Sequence, residues 1–299
     1  MEIIKNIEKL NIENASVAIG KFNGIHLGHM RLIKNIVNSQ VPVIFTFQKM
    51  PLSVLKKIPD AERILDNEEE MKIFEKAGIK YVIQCPGNKE ILSLNPEEFV
   101  KGILVDKLHI QKLVCGKDFR FAKDREGDIN VLEKLSLKYG FTLEIIDDYE
   151  IRGVKVSSST IKEYIKNGNM EKVTEFLGKP YSITGIIREG RKIGRTLDFP
   201  TINIVPPQEK ILPPFGVYYT KVYIDGKEYK GVTNIGKNPT ITDNGGISVE
   251  TNLIETNEQL YGKHAVIDFY HFVRKERKFE TFEALKKQIS HDVDGFNLK

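Results

Sequence analysis

The chain has 299 residues, 40% of them hydrophobic and 29% charged, with two cysteines and a formal net charge of +4. That length exceeds most single cores and argues for two domains of an ordinary soluble globular protein. The small charge, with Lys and Arg interleaved among Asp and Glu, reads as a solvated surface rather than a nucleic-acid footprint. No run approaches the ~20 apolar residues of a membrane span. The first residues lack the apolar core and small-residue cleavage site of a signal peptide. Cys85 and Cys115 lie far apart in apolar stretches and read as buried, reduced thiols. The expected setting is cytoplasmic, with no membrane or nucleic-acid partner, the protein being a monomer or weak homo-oligomer.

In chain order, "SVAIG" reads as a strand, "GHMRLIKNIVNS" as a helix and "VPVIFTF" as a buried strand. A helix opens at Asn95 with Pro96 at its first position and Glu97 and Glu98 in its first turn, where the helix dipole favours acids. "KLVCG" is a strand, "DINVLEKLSLKYG" a helix with Asp128 as N-cap and Gly140 as its stop, and "FTLEIID" a strand. Strands separated by helices imply a doubly wound α/β parallel sheet, with ligands bound beyond the carboxyl ends of the strands. Two short helices, "SSTIKEYIKNG" and "NMEKVTEFLG", precede "GKPYS", which puts the domain boundary near Pro180: a first domain over 1–180 and a second over 181–299.

After that point the segments "YSITGIIREG", "GVYYTKVYIDGKEYKGVTNIG", "ISVETNLIE" and "AVIDFYHFVR" are rich in Val, Ile, Tyr and Thr, with Asp225-Gly226 as a hairpin turn. One helix, "TFEALKKQISHDV", ends the pattern. Regularly spaced strands with a single late helix predict a small β-barrel.

Chemistry concentrates first in "GKFNGIHLGH", at the end of the first strand. Gly20, Gly24 and Gly28 let backbone approach a ligand closely. A helix starting near Leu27 offers free N–H groups to an anion, and His26 and His29, three apart, share a face across that start. Imidazole N–H groups there can bond a triphosphate and stabilise the charge that develops on its oxygens. The plainer alternative is a tight turn that holds two histidines.

This stretch resembles the G-x-F-D-G-x-H-x-G-H signature of the nucleotidylyltransferase superfamily, in the form used by prokaryotic FMN adenylyltransferases, with Phe22 matching and Asn23 where aspartate is usual. "GKDFRFA" resembles that family's G-x-D-F-R-F-G segment, and "VSSSTIK" its I-S-S-T-x-I-R segment, with Lys162 in place of arginine. The resemblance implies phosphate or ATP contacts at Gly20, Phe22, Asn23, Gly24, Gly28, Asp118, Ser157, Ser158, Ser159, Thr160 and Lys162. It also implies flavin contacts at Phe119, Arg120 and Phe121. From the residues alone, the four hydroxyls either cap a helix or bind phosphate. Asp118 is a sugar or adenine ligand or a turn residue. Phe119 and Phe121, alternating on one side of a strand, are core or an aromatic wall. "TFQKMPL" departs from T-F-x-P-H-P, with Lys49 and Met50 where proline and histidine stand, and Ala122 replaces glycine.

The second domain carries "GIIREGRKIGRTLDFPTINI", which resembles the riboflavin kinase signature ending in G-F-P-T-A-N. Gly190, Lys192, Gly194, Arg195 and Pro200 are the implied ATP contacts. Thr201 and Asn203 are hard oxygen donors two apart on a strand, suited to Mg²⁺ on nucleotide phosphates. Glu250 in "ISVETNLIE" stands where that family has its catalytic base, with Asn252 replacing the usual histidine, and Arg274 in "FVRKERKF" is placed to reach a flavin. The resemblance spans nearly the whole chain. It implies a bifunctional enzyme using riboflavin, FMN, FAD and ATP, with Mg²⁺ as cofactor: the second domain phosphorylates riboflavin and the first adenylylates FMN, His26 and His29 acting on the α-phosphoryl group. Two other readings are a riboflavin kinase with a degenerate first domain, motivated by Asn23 and the missing histidine, and a flavin-sensing regulator without turnover.

Overall fold

The computed structural model describes residues 1–47, 62–86, 89–188, 201–237, 246–254, 256, 258 and 260–296. By its contacts the chain divides into two compact units, Met1–Ser158 and Ser159–Lys299.

In the first unit, continuous apolar runs make strands that are covered on both faces, the pattern of a parallel sheet. The strands are β1 (Glu2–Ile4), β2 (Ala15–Ile19), β3 (Val41–Phe47), β4 (Tyr81–Cys85), β5 (Lys112–Gly116) and β6 (Thr142–Ile146). They pair in parallel in the order β1-β4-β3-β2-β5-β6. Every residue of β2 is buried. The order reverses between β2 and β5, so the crevice beyond their carboxyl ends is the topological switch point where such sheets bind ligands.

Helices α1 (Leu27–Lys34), α2 (Asn67–Lys76), α3 (Lys89–Leu92), α4 (Pro96–Phe99) and α5 (Ile129–Tyr139) connect these strands. Their ends follow local chemistry. Asn95 caps α4 in a reciprocal box with Glu98, and Asp66 does the same for α2 with Glu69. Asp128 caps α5, and Gly140 closes it. Cys85 and Cys115 are both buried thiols, and burial pushes the Cys115 thiol up to about 12.

A two-stranded antiparallel hairpin, β7 (Glu150–Ile151) and β8 (Val154–Lys155), ends the strands of the first unit. The second unit takes in all but the first residue of α6 (Ser158–Lys166), then α7 (Met170–Leu177), which packs on the strands Tyr181–Ile186 and His264–Lys275. Its strands are β9 (Tyr181–Ile186), β10 (Thr201–Ile204), β11 (Gly216–Ile224), β12 (Lys227–Lys237), β13 (Ile247–Leu253) and β14 (His264–Lys275), and the chain then forms α8 (Phe282–Asp294). They run β10-β13-β12-β11-β14-β9, all antiparallel. The two edges meet where Arg188 bridges Asn203, which curls the sheet into the expected barrel. Asp225 and Gly226 both adopt positive φ, 50° and 79°, as a two-residue hairpin turn between twisted strands requires.

The segment after β5 departs from expectation. Phe119 and Phe121 lie in a turn rather than a strand, because Phe121 pairs back onto Gly127 and the backbone between them swings through positive φ at Ala122, Asp124 and Arg125. Ala122 sits at φ 64°, ψ −172°, a region that is nearly glycine's alone. Such a conformation costs on the order of 1–3 kcal/mol, against roughly 0.5–1 kcal/mol for glycine's extra chain entropy. Ala122→Gly is therefore expected to raise the stability of the first unit by about 1 kcal/mol, read as a higher urea midpoint at unchanged slope.

Candidate active sites

The loop from Gly20 to His26 leaves β2 at the switch point under strain. Phe22 and Ile25 adopt φ of 46° and 40°, and Gly24 lies at 94°. Phe22 and Ile25 are both buried, so they cannot relax outward. Asn23 ties the loop on two sides. Its Oδ1 accepts from the Ile64 N–H at 3.0 Å, and its carbonyl oxygen accepts from the Ser158 hydroxyl at 2.6 Å. Ile64 presses on the loop closely enough that a Cβ on Gly24 would meet its Cδ1 at 2.9 Å.

His26 caps α1, its Nδ1 accepting from the His29 N–H at 3.3 Å. That bond places the proton of the neutral ring on Nε2. The His29 ring stacks on His26, centroids 3.7 Å apart at 18°, and touches the Phe22 ring at 5.2 Å. Burial, then the nearby Lys155 ammonium, lowers the His26 pKa to about 4. Burial and His26 hold His29 well below its usual value. At neutral pH both rings are therefore uncharged. The buried His29 Nδ1 has no hydrogen-bond partner among the described residues.

Charge is supplied around this pair by residues that the spacing argument missed. Lys155 bridges Asp118 at 2.9 Å and Asp148 at 2.8 Å. Lys21 has its pKa lowered by burial and by the Arg125 guanidinium, while Asp118 acts the other way. Lys21 and Arg125 sit inside the motif stretches themselves, but nothing in their spacing distinguishes them from solvated lysines and arginines. The Phe119 and Phe121 rings stack at 5.6 Å and 8°, Phe121 in the core and Phe119 partly buried against it. The Arg120 guanidinium donates to its neighbour's carbonyl at Phe119.

In the second unit the β-ladder assembles the other constellation. Asn203 on β10 and Asn234 on β12 both pair with Glu250 on β13, from its two sides. The Thr201 hydroxyl donates to Glu250 Oε1 at 3.3 Å, and Asn203 is buried. The Thr201 hydroxyl and the Asn203 amide oxygen are hard-oxygen donors, a kind that fits Mg²⁺ keeping few protein ligands. Asn234 comes beside Glu250 through the strand register, which local sequence does not reveal. Its amide donates to Glu276 Oε1 at 3.1 Å. Arg274, the implied flavin contact, has a protein partner. Its guanidinium donates to both oxygens of buried Asp292, at 3.1 and 2.7 Å, fastening α8 to β14. Gly190, Lys192, Gly194, Arg195 and Pro200, with Lys49 and Met50, lie outside the described residues.

A riboflavin kinase family model matches residues 177–297, and an FAD synthetase family model matches residues 8–160. The bifunctional riboflavin kinase/FMN adenylyltransferase of Buchnera aphidicola from Acyrthosiphon pisum is 34% identical over 97% of this chain and 94% of its own. The Escherichia coli K12 protein of the same name is 30% identical over 98% and 96%. This chain belongs to the bifunctional riboflavin kinase/FMN adenylyltransferase family. A crystal structure described as a macrolide-efflux protein from Streptococcus pneumoniae, 25% identical, superposes with a TM-score of 0.86 over 98% of this chain and 97% of that one. No helix among the described residues is long and apolar enough to cross a membrane.

For this family member, the uncharged state of His26 links folding to pH. Its folded pKa of about 4 lies below the ordinary 6.5, so the unfolded chain binds the extra proton between those values. Stability from this group is present above pH 6.5 and is lost as pH falls towards 4, by roughly 3 kcal/mol in all. Replacing His26 by Asn keeps a cap acceptor without the titration. The stability difference between wild type and His26→Asn, from urea unfolding, should shrink steadily from pH 6.5 to pH 4.

Proposed function

We infer that the chain makes FAD in two steps. The second unit transfers the γ-phosphoryl group of ATP to riboflavin, giving FMN, and the first transfers AMP from a second ATP to FMN, releasing pyrophosphate. The observation that carries this reading is the presence of both family matches, in order, on one chain.

The chemistry of each step suits the residues that face it. The riboflavin hydroxyl is neutral and must lose a proton as it attacks phosphorus, and Glu250, between Asn203 and Asn234, is the carboxylate that takes it. Thr201 and Asn203 would hold Mg²⁺, which supplies charge neutralisation on the ATP phosphates. In the first unit the attacking FMN phosphate oxygen is already an anion. It bonds the α-phosphorus of ATP while the bond to the β-phosphate oxygen breaks, and no base is required. What that step needs is orientation and charge stabilisation. His26 donates from Nε2–H and His29 from its ring, with Lys21, Lys155 and Arg125 as cations of the same unit and the Ser157 hydroxyl as a further phosphate contact. The backbone of Gly20, Gly24 and Gly28 leaves room for phosphate, Asp118 orients Lys155, and the Phe119–Phe121 stack offers a flat apolar surface to the flavin.

Asn23 argues against a degenerate first domain. Its side chain serves as an acceptor for Ile64 N–H, which an amide oxygen performs as well as a carboxylate.

The reading is tested by chromatography of products from riboflavin, ATP and Mg²⁺, where FMN followed by FAD is expected. His29→Ala should lower FAD formation about 10²–10³-fold and leave FMN formation intact. Glu250→Gln should lower FMN formation about 10²–10⁴-fold and leave FAD formation from supplied FMN intact. Loss of both activities in either folded variant would overturn the two-site assignment.

A further inference from the structure

Among the described residues, two carboxylates are buried away from the groups assigned above. Asp292 has both oxygens taken by Arg274 and Gln288. Glu70, in α2, does not: its Oε2 meets Arg63 Nη2 at 2.5 Å, and its buried Oε1 has no hydrogen-bond partner among the described residues. The same guanidinium donates from Nε to the Leu65 carbonyl at 3.2 Å, folding residues 63–65 into a short clip. Within that clip lies Ile64, whose N–H bonds Asn23 and whose side chain presses on Gly24. α2 reaches the loop a second time, because the Phe74 ring meets the Phe22 ring edge-on at 5.6 Å and Phe22 contacts His29.

We propose that Glu70 and Arg63 are positioning residues for adenylyl transfer, their ion pair pinning residues 63–65 so that Ile64 holds the strained loop, with His26 and His29 at its end, in its working shape. The proposal rests on the first unit being the adenylyltransferase. A buried ion pair is a poor source of stability but a good source of fixed geometry when its partners have one arrangement. A loop with several residues at positive φ needs such fixing, because its strain is tolerated only where the surroundings over-determine it.

The pair is also sensitive to pH. Burial pushes the Glu70 pKa up to about 7, with Arg63 pulling it back and Asp66 and Glu69, in the cap of the same helix, adding to the rise. Gln84, which bonds this helix from β4, is uncharged. When Glu70 takes a proton, the attraction to Arg63 falls to that of a neutral hydrogen bond and the pin slackens.

The test measures FAD formation from supplied FMN and FMN formation from riboflavin on the same preparations between pH 6 and 8.5. Wild type should lose about tenfold in FAD formation from pH 8 to pH 6, a step that FMN formation does not share. Glu70→Gln, which fixes the neutral state at the same size, should be about tenfold slow at pH 8 and show no step. Arg63→Gln should match it, and the double variant should be little worse than either single one. A Glu70→Gln enzyme with the wild-type rate and step overturns the proposal, as does one that loses FMN formation and thermal stability to the same degree. Amide exchange at Ile64, followed without substrate, decides the pin independently of turnover: faster exchange in Glu70→Gln supports it and unchanged exchange overturns it. A wild-type protein that makes FMN but no FAD at any pH would instead overturn the adenylyltransferase reading.

Discussion

The first unit depends on how a strained turn is held. Phe22 and Ile25 occupy a backbone region that side chains disfavour, and within the turn a bond from the Ile25 N–H to the Phe22 carbonyl joins them at 3.1 Å. Further restraint comes from two sequence-distant segments, both fastened to Asn23: Ile64 through the side-chain oxygen, Ser158 through the backbone carbonyl. With the turn fixed, His26 can cap α1 and His29 can stack upon it. The motif is therefore less a set of ligands in a row than a knot in the chain, whose product is the position of two rings.

Those rings are neutral because they are buried. A buried imidazolium would cost more than a neutral ring by the amount its pKa is lowered. The Lys155 ammonium adds to that lowering at His26. Lys155 is itself held by Asp118 and Asp148, so it is placed rather than loose.

Much of this was legible in the residues, for physical reasons that differ by element. Helix ends were plain because capping is local: Asn95, Asp128 and Gly140 act within one turn of themselves. The parallel sheet followed from alternating element types, and the barrel from strand-rich spacing and the Asp225–Gly226 turn. His26 and His29 stood out by spacing. What escaped was non-local. The conformation of residues 119–125 depends on Phe121 closing onto Gly127, so an alternating pattern there mimicked a strand. The Arg274–Asp292 pair joins a strand to a helix, and no local pattern signals it. The Arg63–Glu70 pair and the approach of Lys155 to His26 had no motif to announce them, only a meeting place in three dimensions.

In the second unit the corresponding restraint is register. Glu250 and Thr251 are adjacent and so point to opposite faces of β13, and a slip of one residue would exchange them. On the inner face Thr251 is fully buried and joins a line of hydroxyls, Thr251 to Thr233 at 2.7 Å and Thr233 to Thr220 at 2.8 Å, the last donating to the Gly231 carbonyl. Each hydroxyl in that line is satisfied only in this register. Shifted by one, the strand would bury the Glu250 carboxylate in place of a hydrogen-bonded hydroxyl, a far costlier arrangement. The threonine line thus does for Glu250 what Asn23 does for the histidines. It lies on the opposite face of β13 and sets which face the carboxylate is on.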